Sequence, residues 1–476
     1  MDALFREKNI SAPLSAQYDL LEIPSAERKN ASQSKYVYRF VCGTILTAVS
    51  SGLFLLLWTR LIADYNTTGH LGGRANILMS LGLYTAVLFL MFRALGGYRI
   101  GVNRMTNILS AELVAIFMTN FINVLISMAV TGQFRLGFLL LREYSLLALA
   151  EGALLTLLTI PMVRCYKKLF PPLSVLEISG EVTNGLSTKV GSRPDKYRIL
   201  RTIRYQENEE ELRKEIEKYD AALINDLPDE EENRILKICF DLNKRVYFTP
   251  KLSDIIVRSS ENLNLFDTPL YLCRNLGMSD LQRLNKRIFD IVFSSIALLA
   301  AFPLMLVTAI AIRLEDHGPV FFKQERVTLD GKRFMIYKFR SMIPEAEKDG
   351  RPNPARDHDE RITRIGALIR RTRIDELPQF INILKGDMSV VGPRPERWEH
   401  VEKYTEAIPE FSYRLKVKGG LTGYAQVYGK YNTSALDKLK LDLEYIMNYS
   451  LILDLQIVLE TVKILFQKEP TEGFRS

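Results

Sequence analysis

The chain has 476 residues, about three times the ~150 residues of a common domain, so two or three folded units are expected. Its 47% hydrophobic and 25% charged content excludes a wholly disordered or low-complexity chain. Lys and Arg number 63 against 55 Asp and Glu, a net +8; this is too weak to argue for nucleic acid and suits an anionic membrane face or phosphorylated substrates equally.

In chain order, a polar N-terminal arm (1–35) comes first; it lacks the short apolar core and cleavage site of a signal peptide. Four charge-poor stretches follow at 40–59, 75–92, 113–134 and 144–163. Each is long enough for a helix that spans a ~30 Å hydrocarbon core, so four transmembrane helices are expected within 36–165. The fourth carries Glu151 near its middle. A central carboxylate costs about 3 kcal/mol, which leucines at about 0.5 kcal/mol each roughly offset, and Glu151 is expected to face the neighbouring helices. A buried soluble bundle would need more polar surface than these stretches leave. Lys and Arg are denser before the first span, between the second and third, and after the fourth, so the N-terminus and residue 165 onward are expected on the cytoplasmic side. Trp58 fits an interfacial anchor. Asn66-Thr-Thr68 matches a glycosylation triplet of the kind that also arises by chance.

Residues 170–275 alternate strand-like and helix-like segments, which predicts a parallel, Rossmann-like α/β domain. The loop Gly180-Glu-Val-Thr-Asn-Gly185 is not GxGxxG, so it carries no dinucleotide fingerprint, and a structural or regulatory module is the expectation. Cys42, Cys165, Cys239 and Cys273 form no CxxC pair; Cys239 and Cys273 are read as core residues. The histidines show no HxxxH spacing.

A further uncharged run, 291–312, is long enough to span, but Pro303 sits in its middle and basic residues flank both ends. A full crossing would export everything after 313. The expectation is a re-entrant helix (286–313) kinked at Pro303 and broken at Phe302-Pro303, against the alternative of an ordinary fifth span.

The chemistry concentrates between 337 and 395. Lys338 and Arg340 lie two apart, on one face of an extended strand. Arg361, Arg364, Arg370, Arg371 and Arg373 lead into Asp375-Glu-Leu-Pro-Gln379. Guanidinium forks suit phosphate oxygens. A helix over 378–385 is predicted to start at Pro378 and stop at Gly386, with Asp375 and Glu376 at its positive end, which favours their ionised forms. A carboxylate near a divalent ion and arginines can act as a nucleophile on phosphorus. Gly392-Pro-Arg-Pro395 fixes Arg394 on an extended backbone. Each signal has an ordinary reading, a solvated basic turn or a helix start, and the combination carries the argument.

The ordered set Lys286-Arg287, Phe289-Asp290, Pro303-Leu-Met305, Gly318-Pro-Val-Phe-Phe322, Tyr337-Lys-Phe-Arg-Ser-Met342, Arg361-Ile-Thr-Arg-Ile-Gly366, Asp375-Glu-Leu-Pro-Gln379, Leu384-Lys-Gly-Asp-Met-Ser389 and Val391-Gly-Pro-Arg-Pro395 resembles the bacterial polyprenyl-phosphate sugar-1-phosphate transferases over 283–468. With the preceding spans and α/β insert, the chain is similar to the long form, such as undecaprenyl-phosphate galactose or glucose phosphotransferases. The resemblance implies a mainly α catalytic domain. It also implies transfer of a sugar 1-phosphate from a UDP-sugar to undecaprenyl phosphate, with UMP released, as the first membrane step of exopolysaccharide or lipopolysaccharide assembly. Asp375 would be the covalent nucleophile and Glu376 its acidic partner, both near Mg²⁺ as metal-site residues. Lys338, Arg340, Arg364, Arg370 and Arg394 would bind substrate phosphates. The implied setting is the bacterial inner (plasma) membrane, with the active site on the cytoplasmic side and the lipid bilayer as partner. A homodimer is compatible with the large membrane and α/β portions; no nucleic acid is expected.

Two departures from the family pattern stand out: Phe302 where Ser is usual before the proline, and Gly419 where Lys418-Gly-Gly-Leu-Thr-Gly423 usually has proline, read as a looser loop. Asp442, Tyr445 and Asp454 fit the C-terminal helix pattern and equally fit helix-surface or capping roles. The alternative function is a catalytically silent membrane scaffold or nucleotide-sugar sensor, which the intact Asp-Glu pair and arginine set disfavour.

Overall fold

The computed structural model describes residues 25–65, 73–131, 135, 137–180, 185–205, 208–265, 268–273, 277–344, 359–429 and 433–465. Most of the polar arm, the Asn66 triplet and residues 181–184 of the Gly180–Gly185 loop lie outside them.

Helices α1 (Ser25–Tyr65), α2 (Arg74–Leu95), α3 (Met105–Thr131) and α4 (Gly137–Leu169) pack in a ring, α1 touching α2 and α4 while α3 touches α2 and α4. Their interior holds Leu46, Phe54, Tyr84, Leu88, Phe92, Tyr144 and Leu155. Leu56, Leu78, Leu149 and Leu157 point outward and are exposed, the reverse of a soluble bundle's surface. These four helices and α9 below are long and apolar enough to cross a membrane. Glu151 is fully buried and accepts hydrogen bonds from Tyr84 Oη (2.5 Å) and Asn120 Nδ2 (2.7 Å), so neighbouring helices satisfy it.

Strands β1 (Leu173–Ser179), β2 (Tyr197–Arg204), β3 (Ala221–Asn225) and β4 (Arg245–Phe248) form a parallel sheet in the order β2-β1-β3-β4. The acidic first turns of α6 (Glu209–Glu217) and α7 (Asp229–Asp241) match their helix dipoles. Both helices cover one sheet face through Leu212, Ile216, Ile235, Ile238 and Cys239. Among the described residues the other face carries the short α5 (Leu186–Gly191), through Leu186 and Val190. Cys239 is core as expected, whereas Cys273 is exposed just beyond a two-stranded hairpin, β5 (Glu261–Leu265) and β6 (Thr268–Leu272), which follows α8 (Leu252–Arg258) and whose β6 is exposed throughout.

Helix α9 runs from Asp280 to Asp316 with Pro303 inside it. The break expected at Phe302-Pro303 is absent. A proline removes one backbone donor, and long apolar helices accommodate that loss without a break. One face of α9 is buried through Lys286, Asp290, Ser294, Met305, Thr308 and Ile312; the opposite face exposes Ile288, Val292, Ile296, Leu299, Phe302, Leu306, Ile310 and Leu314.

The rest is mainly helical around two small sheets: the hairpin β7 (Phe321–Val327) and β8 (Arg333–Phe339), then α10 (Arg364–Arg371), α11 (Gln379–Lys385), β9 (Ser389–Val391), α12 (Trp398–Ala407), β10 (Gly420–Thr422), α13 (Tyr424–Tyr428), α14 (Ala435–Met447) and α15 (Leu451–Leu465). β10 pairs with β9 in parallel. Phe334, Ile336, Phe380, Ile383, Val391, Leu443 and Ile457 fill its core. Both ends of α9 are fastened to this unit. At one end Lys286 Nζ donates to Asp454 (2.7 Å) and Tyr445 Oη (2.9 Å), and Asp290 accepts from Ser389 Oγ (2.8 Å) and Val390 N (2.9 Å). At the other, Asp316 accepts the fork of Arg340 and Glu315 accepts from Ile365 N (3.2 Å).

Lys286 and Asp454 are both buried. Replacing Lys286 by Met leaves the buried Asp454 carboxylate without its counter-charge, with Tyr445 Oη still donating to it (2.8 Å), and should cost about 3–5 kcal/mol, whereas Lys286→Met with Asp454→Leu should recover most of it. Thermal unfolding of the detergent-solubilised protein, single beside double variant, checks this; a double variant no more stable than the single one would contradict it.

Candidate active site

Asp375 sits in a single 3₁₀ turn, Ile374–Glu376, between α10 and α11. Arg373 enters that turn with φ 59°, a left-handed backbone that lets the chain reverse sharply after α10. Upstream, Thr363 caps α10 by accepting from Gly366 N (2.9 Å). Gly366 is there because a Cβ would come within 2.0 Å of the Ser341 carbonyl. Downstream, Pro378 precedes α11, and Gly386 (φ 91°) ends it, close to the expected bounds. Asn382 fixes α11 to β8, accepting from Tyr337 N (2.9 Å) and donating to the Met335 carbonyl (2.8 Å). Arg287 of α9 donates to the last carbonyls of α11, Ile383 and Leu384 (both 2.7 Å).

Glu376 is the organising carboxylate. Its Oε1 accepts from Lys338 Nζ (2.9 Å) of β8 and from Arg394 Nη2 (3.2 Å) of the Gly-Pro-Arg-Pro segment, and Arg373 Nη1 lies 4.0 Å from Oε2. Burial works against its charge, but Lys338, Arg394 and Arg373 prevail and hold its carboxyl well below the usual range. Asp375 is different. It is buried, and its Oδ1 has no hydrogen-bond partner. Burial pushes its carboxyl up; Lys338 opposes this, Glu376 adds to it, and Arg373 and Arg370 oppose it without reversing the direction. At Asp375 burial therefore works against the ionised form that the helix end was expected to favour.

The structure thus brings Lys338, Arg370, Arg373 and Arg394 together around Asp375 and Glu376. It places Arg340 and Arg364 elsewhere. Arg340 is buried and forks onto Asp316, with Nη1 2.7 Å from Oδ2. Arg364 is exposed at the first turn of α10, about 10 Å along the axis from Arg371 at its end. Pro303 lies in α9 between Ala301 and Met305, which share an apolar cluster with Ile374 and Leu377 of this turn.

Two positioning residues escaped sequence reasoning. Arg414, in the 3₁₀ segment Pro409–Lys416, is buried against Asp442 (Nη2 to Oδ2 2.8 Å) and donates to the Arg394 carbonyl (3.0 Å). Asp316 holds Arg340 across 24 positions. Neither pairing has a local sequence signal. The looser loop expected at Gly419 is not found: its N–H donates to Thr328 Oγ1 (3.0 Å), a bond proline could not make, and a Cβ there would meet Pro395 at 2.6 Å. Phe302 lies on the exposed face of α9, and Ser294 Oγ is buried without a partner.

Among the described residues no cluster of three or more His, Cys, Asp or Glu side chains could cage a metal ion. The donor set still fits magnesium in its common mode, one or two carboxylates plus substrate phosphates. Asp375 Oδ1 is the partnerless hard oxygen, while Glu376 Oε1 already accepts from two cations.

Residues 281–468 match the family model described as bacterial sugar transferase. A UDP-N-acetylgalactosamine-undecaprenyl-phosphate N-acetylgalactosaminephosphotransferase of Aeromonas hydrophila is 41% identical over 253 residues, 52% of this chain and 59% of that protein. A UDP-glucose:undecaprenyl-phosphate glucose-1-phosphate transferase of Escherichia coli is 43% identical over 203 residues, 42% of each. A protein of the same name from Caulobacter vibrioides is 42% identical over 186 residues, 38% of this chain and 68% of that protein. The match thus spans about half the length of the first two relatives. It falls on the segment that builds the Asp375 turn and its cationic collar, and the chain belongs to the bacterial sugar transferase family, the polyprenyl-phosphate sugar-1-phosphate transferases.

Proposed function

We propose that this protein transfers a sugar 1-phosphate from a UDP-sugar to undecaprenyl phosphate, releasing UMP, as the first membrane step of polysaccharide assembly. The observation that carries the reading is the buried, partnerless Oδ1 of Asp375 inside a collar of Lys338, Arg370, Arg373 and Arg394. The names of the relatives, which act on undecaprenyl phosphate with UDP-glucose or UDP-N-acetylgalactosamine, support it.

In the first half-reaction an Asp375 carboxylate oxygen attacks the sugar-bearing phosphorus. The bond from that phosphorus to the bridging oxygen breaks, and UMP leaves with the bridging oxygen and its electron pair. In the second, a phosphate oxygen of undecaprenyl phosphate attacks the same phosphorus and the Asp375 oxygen departs, giving undecaprenyl-diphospho-sugar. Such transfer depends on positioning and on cations that stabilise spread negative charge, the role assigned to Lys338, Arg370 and Arg394. Glu376 holds Lys338 and Arg394 in place. Asp375 and Glu376 would hold magnesium together with substrate phosphates, and it would supply charge to neutralise the diphosphate.

The four N-terminal helices are assigned as transmembrane in the bacterial inner membrane, with the Asp375 site on the cytoplasmic side. Helix α9 is assigned to one leaflet. Both its ends are fastened to the catalytic unit while its outer face is an uninterrupted apolar stripe, which suits a helix lying in the interface better than one crossing it.

UMP release from a panel of UDP-sugars, with Mg²⁺ and undecaprenyl phosphate, should identify one preferred donor, and Asp375→Asn should lower the rate at least about a thousandfold. Turnover that survives this substitution would sink the covalent route. Asp375 must be ionised to attack, and its carboxyl is raised. The acid limb of UMP release should therefore lie above the ordinary aspartate value of about 4. Lys338 lowers that carboxyl, so Lys338→Met should move the acid limb to higher pH; a shift toward acid would show that a group other than Asp375 is being titrated.

A further inference from the structure

We propose that the seam between the N-terminal bundle and the parallel sheet binds an anionic lipid through its phosphate, at a site separate from Asp375. The inference rests on the reading that α1 and α4 are embedded in the bilayer. Because α5 covers its face of the sheet incompletely, a cavity of about 220 Å³ remains, lined by Val175, Leu186, Val190, Tyr197, Leu223 and Tyr247. The Tyr197 and Tyr247 rings meet edge to face at 5.2 Å. The volume is below the ~300 Å³ of the smallest common small-molecule sites, so it suits a chain segment or one ring rather than a nucleotide sugar.

The position of the cavity favours a lipid. β1 starts at Leu173, just after α4 ends at Leu169. The strands are parallel, so all four begin at the bundle side. Val175 is two residues into β1, about 7 Å along the strand.

Cations gather at the same edge. Lys35 Nζ of α1 lies 5.6 Å from the Phe170 ring at the end of α4 and interacts electrostatically with Arg39, Arg245 and Asp220. Lys196 Nζ lies 4.9 Å from the ring of the cavity residue Tyr197. Burial, then the charges of Arg193 and Arg39 against the pull of Tyr247, lowers its ammonium pKa. The carboxylates on hand are engaged: Asp195 accepts from Arg193 Nε (3.0 Å), and Asp220 accepts from Ser174 N (3.0 Å) and Oγ (2.7 Å). Half-buried positive charge thus adjoins an aromatic-walled apolar cavity at the membrane end of the sheet, which complements an anionic headgroup and a stretch of its chain.

The test is lipid retention by the full-length protein in detergent, read by native mass spectrometry. The probes are phosphatidylglycerol, undecaprenyl phosphate, zwitterionic phosphatidylcholine and inorganic phosphate. At least one of the two anionic lipids should bind about tenfold more tightly than phosphatidylcholine. That excess should fall about tenfold in Lys35→Gln/Lys196→Gln, and also in Val190→Phe, which fills the cavity from its lid. Which anionic lipid is retained identifies the source, and either supports the site. Equal retention of phosphatidylcholine, an unchanged double variant, or inorganic phosphate bound as tightly as the lipids would overturn it. UMP release by the same preparations reports separately on Asp375: it should be unchanged in both variants, and its absence in wild type with lipid retention intact would fault the catalytic reading alone.

Discussion

Two adjacent carboxylates cannot both be buried unless cations share their charge, and the arrangement of the catalytic unit follows from how that is done at Asp375 and Glu376. Glu376 takes Lys338 from one side and Arg394 from the other, with Arg373 near its second oxygen. This ties two separate segments, β8 and the Gly392–Pro395 stretch, to one turn. Both are secured from behind: β8 by Asn382 and the Arg394 backbone by Arg414, with the preceding β9 held by Asp290. Asp375, among the same cations, accepts none of these bonds at its Oδ1 and keeps that oxygen without a partner. The clamp holds the cations so that the neighbouring carboxylate need not.

Helix α9 is the second support, and its two faces obey different rules. The inner face carries Lys286, Arg287 and Asp290, which reach Asp454, the end of α11 and the start of β9. These polar groups are affordable because each has a buried partner. The outer face needs no partner because its residues are apolar. A single helix therefore orders the reactive turn from within while presenting hydrocarbon outward, and the Arg340–Asp316 pair closes the far end.

Much of this was legible in the sequence where the signal is local. Charge-free runs marked the long helices, alternating segments marked the parallel sheet, and Pro378 with Gly386 bracketed α11. The site was legible only in part. Lys338, Arg370 and Arg394 act on the Asp-Glu pair, whereas Arg364 is exposed at the start of α10 and Arg340 is bound to Asp316. Arginine residues look alike in sequence, and only tertiary partners separate those that face a ligand from those that fasten a fold. Burial was the other hidden quantity: it reverses the expected direction at Asp375, and nothing in the order of residues reports it. The continuous α9 shows a third gap, because a proline rule written for helices in water overstates the break in a long apolar one.

The one-leaflet assignment of α9 has a mechanical corollary. A rod inserted on one side of a bilayer enlarges that monolayer and not its opposite, so the work of insertion depends on lateral pressure and on spontaneous curvature. Bulky, exposed Phe302 and Leu299 on its outer stripe would act as the broad part of such a wedge. The seating of the Asp375 turn, fastened to this rod through Arg287 and Asp290, would then be coupled to the packing stress of the surrounding lipids.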